Sequence, residues 1–115
     1  MRKSLRIDFD VVMEMRDGVK LRANIYRPND NGSYPTILIR TAYNKQSINI
    51  EGFLNIIEAA HDGYAIVIQD IRGRFASEGK WDRLNMFEIE NLDGYDSVEW
   101  IARQSWCDGN VGMAG

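Results

Sequence analysis

At 115 residues, 44% of them hydrophobic, the chain is long enough for one core and too short for two domains, so residues 1–115 read as a single domain or as one piece of a larger one. A formal net charge of -3 and a pI near 5.1 exclude nucleic acid or an anionic membrane as the main partner, since both demand a basic face. Arg2, Lys3 and Arg6 form a solvated start with no apolar run behind them, and no stretch reaches the ~18 apolar residues of a membrane span, so neither signal peptide nor anchor is expected; with Cys107 unable to form an intrachain disulfide, the address follows as cytoplasmic.

The first elements are strands. Side chains roughly alternate from Ile7 to Met15 and again from Leu21 to Tyr26, with Asp17-Gly18 between them, which predicts an antiparallel hairpin. Pro28 to Tyr34 is a polar connector, and its Asn31-Gly32-Ser33 reads as a turn although it fits a glycosylation sequon. Pro35 to Arg40 is then a short apolar run without alternation, the pattern of a strand buried on both faces.

A helix comes next, marked by Phe53, Ile56, Ile57 and Ala60 at helical spacing and closed by Gly63. Tyr64 to Gln69 is a second apolar run, so strand, helix and strand form a crossover unit whose two strands are parallel. After a polar loop from Asp70 to Asp82, Leu92, Tyr95, Val98, Ile101 and Ala102 mark a second amphipathic helix, and Val111 to Gly115 is apolar enough to begin a third parallel strand. The predicted fold class is α/β: an antiparallel hairpin followed by parallel strands with crossover helices.

Ligands in such sheets gather at the carboxyl ends of the parallel strands, which directs attention to Thr41 to Ser47, to Asp70 to Gly79, and to the turn expected after Gly115. A strand reading Val-Gly-Met-Ala-Gly is the kind that precedes a nucleophile elbow, Gly-x-Ser-x-Gly, whose first glycine is required by a turn too tight for a side chain. Gly115 fits that glycine.

Several segments, taken in order, resemble the acyl esterase and X-Pro dipeptidyl-peptidase family of α/β-hydrolases, which includes cocaine esterase and α-amino-acid ester hydrolases. They are Met15 to Leu21, Tyr26-Arg27-Pro28, Arg40-Thr41-Ala42-Tyr43-Asn44-Lys45, Gly63-Tyr64, Gln69 to Gly79, Asp93 to Ile101, and Trp106 to Met113. The resemblance covers nearly the whole chain and implies the N-terminal portion of an α/β-hydrolase sheet. It implies a serine hydrolase cleaving ester or amide bonds of acyl, amino-acid ester or peptide substrates through an acyl-enzyme. The triad serine, acid and base would all lie beyond Gly115. One functional residue carries over: Tyr43, whose phenol would help form the oxyanion hole. A phenol stays protonated at neutral pH, and one such donor is worth roughly 3 to 4 kcal/mol of transition-state stabilisation. The family commonly has proline before this tyrosine; Ala42 stands there instead and leaves the backbone freer.

The other chemical residues have plainer readings. His61 is expected at a helix end, at the wrong end of the sheet for a triad. Asp70 and Arg72 read as a structural pair supporting the loop of Tyr43, and Glu88, Glu90, Asp93 and Asp96 as solvated helix surface. Trp81, Trp100 and Trp106 read as packing with nothing basic around them, and Cys107 as a packed thiol. No metal spacing, Walker sequence or dinucleotide fingerprint is present, so no metal or cofactor is expected. The alternative to a hydrolase segment is a non-catalytic α/β module that depends on self-association or a partner, because its last strand would belong in mid-sheet and expose an apolar edge.

Overall fold

The computed structural model describes residues 4–42, 44–46, 50–80 and 86–114, without the side chains of residues 50, 86 and 87. Arg2, Lys3, Tyr43, Ser47, Trp81, Asp82 and Gly115 therefore lie outside the described residues. The element order is β1 (Leu5–Glu14), β2 (Lys20–Pro28), β3 (Tyr34–Thr41), α1 (Ile50–His61), β4 (Ala65–Asp70), α2 (Met86–Ala102) and β5 (Cys107–Ala114).

The predicted hairpin forms β1 and β2. Gly18 N donates to Met15 O and Met15 N to Val19 O, each at 2.9 Å, while Asp17 Oδ1 accepts from Val19 N at 3.2 Å. Of the Asp-Gly pair, only Gly18 takes a positive φ, of 86°. Pairing shifts register between Asp8 and Val11, where Asp10 adopts φ 52° and its N–H is accepted by Oδ1 of the buried Asn24 at 3.1 Å. This bulge turns the Asp10 carboxylate out of the ordinary strand alternation.

The strands lie in the order β1-β2-β4-β3-β5, antiparallel from β1 to β4 and parallel among β4, β3 and β5. β4 is buried along its whole length, as its unbroken apolar sequence predicts. Its residues divide between two cores: Ala65 and Val67 pack with Leu38, Ile101 and Trp106, whereas Ile66 and Ile68 pack with Tyr26, Ile56 and Ala60. The cluster with Ile101 belongs to α2 and the cluster with Ile56 to α1, so each sheet face carries one helix.

Two expectations change. β5 begins at Cys107 rather than Val111, passing through Asp108-Gly109-Asn110, and it pairs with β3 at the edge of the described sheet with Met113 59% exposed. The apolar stripe expected on α2 holds only toward its C-terminal end: Ile101 is buried with Val98 packed on the same core, but Leu92 and Tyr95 are exposed, and their place on the buried side is taken by Asp93, Gly94 and Ser97. These last positions share one face at intervals of about one turn, and their small or polar side chains let the helix approach a sheet surface that itself carries Gln69 and Arg40. Polar pairing, more than apolar area, chooses the buried side of α2.

Leu92 separates the two assignments, since Ile101 is buried under both. Ile101→Ala is expected to destabilise by about 2–5 kcal/mol and Leu92→Ala by no more than about 0.5 kcal/mol, measured by denaturant unfolding.

Candidate active site

Parallel pairing sets Thr41 opposite Asp70, so the loops after β3 and β4 leave the sheet side by side. A hydrogen bond from Ile71 N to Thr41 O at 3.1 Å continues the contact past the strand ends. The Asp70 side chain has no solvent exposure and lies between these loops. Its Oδ1 accepts from Lys45 N at 2.7 Å, and its Oδ2 accepts from Lys45 Nζ and from Ala76 N, each at 3.2 Å. One carboxylate thus ties the 42–46 segment to the 70–79 loop.

Lys45 is 2% exposed and its ammonium also pairs with the Asp10 carboxylate at the β1 bulge. Burial penalises the charged ammonium, but hydrogen bonds from Nζ to Asp10 and Asp70 outweigh that cost and hold its pKa above the ordinary lysine value. On the other side of position 43, Arg74 Nε donates to Ala42 O at 3.2 Å. Asn44 takes φ 80°, a conformation asparagine tolerates, and its Oδ1 accepts from Gln46 N at 3.0 Å. The freedom expected from Ala42 is offset by these anchors at 42, 44 and 45. Tyr43, the predicted oxyanion donor, stands between them in sequence and lies outside the described residues.

Asp70 and Arg72 do not pair with each other, contrary to the expectation from sequence. Arg72 instead donates Nε and Nη2 to Asp93, at 2.9 and 2.8 Å, and Nη1 and Nη2 to Asp17, at 2.8 and 3.1 Å. The hydrogen bonds to Asp93 are the largest reason that the Arg72 pKa is raised. Gly79 is required beside it, since its φ is 95° and a Cβ there would come within 2.7 Å of Arg72 Cγ. Arg16 grips Asp96 through Nη2 at 2.7 Å and Nε at 3.0 Å. Arg40 bonds Gln69 Oε1 at 2.7 Å and Glu90 Oε2 at 2.9 Å, and burial is the cause of its lowered pKa.

The helix carboxylates therefore divide. Glu88 is solvated as expected, but Glu90, Asp93 and Asp96 each hold an arginine from another element. Solvated surface is the wrong description of those three because the helix turns a different face to the sheet. Trp106 and Trp100 do pack on the core, but Arg27 lies over the Trp106 ring at 5.9 Å, so the tryptophan is not free of basic neighbours. Cys107 is buried, and His61 closes α1 ahead of β4, away from the loops after β3 and β4. Lys45 and Asp10 do not stand out in the sequence; an Asp, a Lys and an Asp far apart in the chain give no local signal that they meet.

The two buried serine hydroxyls among the described residues serve the scaffold. Ser77 Oγ donates to Asp70 O and accepts from Arg22 N at 2.8 Å, and Ser97 Oγ donates to Asp93 O at 2.7 Å. Among the described residues no cluster of three His, Cys, Asp or Glu side chains could hold a metal ion, and no helix is long and apolar enough to cross a membrane. The described residues supply braced loop segments at the carboxyl ends of the parallel strands β3 and β4 of a mixed sheet.

Comparison with known proteins gives this arrangement relatives. The model of the X-Pro dipeptidyl-peptidase (S15 family) matches residues 17–115. A cocaine esterase from a Rhodococcus species is 44% identical over 108 residues, covering 92% of this chain and 18% of that esterase. Among solved structures, an α-amino acid ester hydrolase superposes with a TM-score of 0.78 at 28% identity, covering 98% of this chain and 21% of that one. A CocE/NonD family hydrolase from Staphylococcus aureus superposes with a TM-score of 0.80 at 24% identity, covering all of this chain and 26% of that one, which shows a shared fold. The chain spans about a fifth of the length of the curated relatives it matches.

The charge pairs make two outcomes measurable. Asp93→Asn strips a partner from a mostly buried Arg72 and is expected to cost about 3–5 kcal/mol, against about 1 kcal/mol or less for Asp17→Asn at the half-exposed end, by denaturant unfolding. Asp17 and Asp96 are both held below the ordinary 3.8, chiefly by hydrogen bonds from Arg72 and Arg16. In each case the folded state binds protons less readily than the unfolded one, so the stabilisation is complete above about pH 4 and is lost as pH falls through the depressed values. Unfolding measured across that acidic window is expected to show a shallower slope in Asp96→Asn than in the parent sequence.

Proposed function

The chain belongs to the X-Pro dipeptidyl-peptidase (S15) family, and from that premise we propose that it forms the first strands and half the oxyanion hole of a serine hydrolase. The substrates are esters or amides of acyl, amino-acid or peptide type, cleaved through an acyl-enzyme. The observation that carries this reading is the bracing on both sides of position 43, at the carboxyl end of a strand parallel to two others. A loop held by buried charge at that place suits a donor that must not move during reaction.

In this mechanism the nucleophile is a serine two positions past Gly115, at the elbow that β5 leads into. Register supports the placement: Ile39 of β3 pairs with Ala114 of β5, so an elbow after β5 emerges beside the loop that leaves β3. The serine attacks the substrate carbonyl, passing its proton to the triad base. The Tyr43 phenol donates to the oxygen as it becomes an alkoxide, together with the backbone N–H of the residue after the serine. Collapse of the tetrahedral intermediate expels the alcohol or amine, and water then releases the acid.

A fluorophosphonate probe is expected to label the full-length protein at that serine and not to label residues 1–115 alone. In the full-length protein Tyr43→Phe is expected to lower kcat by roughly 100-fold or more, with KM little changed. Absence of labelling, or full activity in Tyr43→Phe with ester substrates, would overturn the corresponding part of the proposal.

A further inference from the structure

We propose that Lys45 is a positioning residue of this hydrolase: its buried ammonium, shared between Asp70 and Asp10, holds the loop after β3 so that the Tyr43 phenol is aimed at the oxyanion. The inference rests on the oxyanion-hole reading of Tyr43 and adds to it the groups that set the donor's position.

Lysine is among the residues least often buried, yet Lys45 is 2% exposed in a short loop segment whose backbone is already tied to Asp70 through its own N–H. The loop could therefore close without the ammonium. The ammonium adds a second link, from Asp70 at the end of β4 to Asp10 on β1. Asp10 is itself set by the bulge: its φ of 52° is uncommon for a residue with a side chain, and the buried Asn24 fixes its backbone N–H. A bulge within β1 and the end of β4 thus meet the loop at one nitrogen, two residues beyond Tyr43 in sequence, while Arg74 holds the carbonyl of the residue before it.

Stability alone explains this arrangement poorly, because buried ion pairs return little net stability compared with apolar groups of the same volume. They do fix geometry, and an oxyanion donor depends on geometry: a displacement of about 1 Å at a reacting centre can cost on the order of 100-fold in rate. A lysine that spans three elements suits that task better than a local turn would.

The test uses the full-length protein and the paired variant Lys45→Met with Asp70→Asn, which removes both charges together and leaves no buried carboxylate uncompensated. The expected result is a kcat lowered roughly 10- to 100-fold with KM within about threefold of the parent value. In a Tyr43→Phe background the same pair of changes is expected to cost less than about threefold more, since both act through one phenol. Unchanged kcat in the paired variant, while Tyr43→Phe lowers it, overturns the role of Lys45 and leaves the oxyanion reading standing. Losses that multiply in the combined variant overturn it as well, since they mark a general structural effect. Full activity of Tyr43→Phe removes the donor, and the role of Lys45 falls with it. Should the paired variant fail to fold, Asp10→Asn, which changes only the half-exposed end of the network, decides: kcat lowered about threefold or more supports the role, and parent kcat overturns it.

Discussion

A carboxylate with no solvent exposure sits at the end of β4, and the head of the sheet is organised by the need to satisfy it. An ionised group withdrawn from water is tolerable only when donors and an opposite charge surround it. Asp70 obtains them from two loops at once, taking the amide and ammonium of Lys45 and the amide of Ala76. Because those loops leave neighbouring parallel strands, satisfying one side chain also fixes their relative position. The backbone carbonyl of Asp70 takes the Ser77 hydroxyl, which in turn receives the amide of Arg22 on β2, so the same residue fastens the loop back onto the sheet.

A second set of charges does for the helix what Asp70 does for the loops. Arg72 reaches from the 70–79 loop to Asp93 on α2 and to Asp17 in the hairpin turn, while Arg16 from that turn grips Asp96 one helical turn further on. Inside the helix contact, Gln69 accepts from Arg40 and donates to Ser97 at 2.8 Å. These contacts explain how a helix with little apolar surface on its buried side is held in place. Hydrophobic area supplies the adhesion of α2 near Ile101, and directional polar bonds set its rotation along the rest of its length.

Much of the fold is legible in the sequence because it rests on local rules. Asp17-Gly18 between alternating runs gives a hairpin, and the unbroken apolar run before Gln69 gives a strand covered on both faces. The rotation of α2 is legible only where Val98 and Ile101 pack on the core; earlier in the helix Leu92 and Tyr95 read as its apolar stripe but are exposed, whereas Asp93 and Ser97 read as polar but are buried. Propensity and hydropathy weigh each side chain against water, and the structure weighs it against Arg72 and Gln69. The expected pairing of Asp70 fails for a related reason: Arg72 is its near neighbour in sequence, but the strand end sends the two side chains in different directions.

The order of segments from Met15 to Met113 carries the family by itself, and with it the expectation that the loop after β3 bears Tyr43. Strand identity and parallel direction also come from sequence, because hydrophobic period and glycine placement are properties of contiguous residues. Only tertiary structure decides which charges meet. Asp10, Lys45 and Asp70 are brought together by a bulge, a loop and a strand end, and nothing within reach of any one of them along the chain encodes that meeting. Pairings between distant residues are set by sheet order and register, and at that level the sequence ceases to be informative about this site.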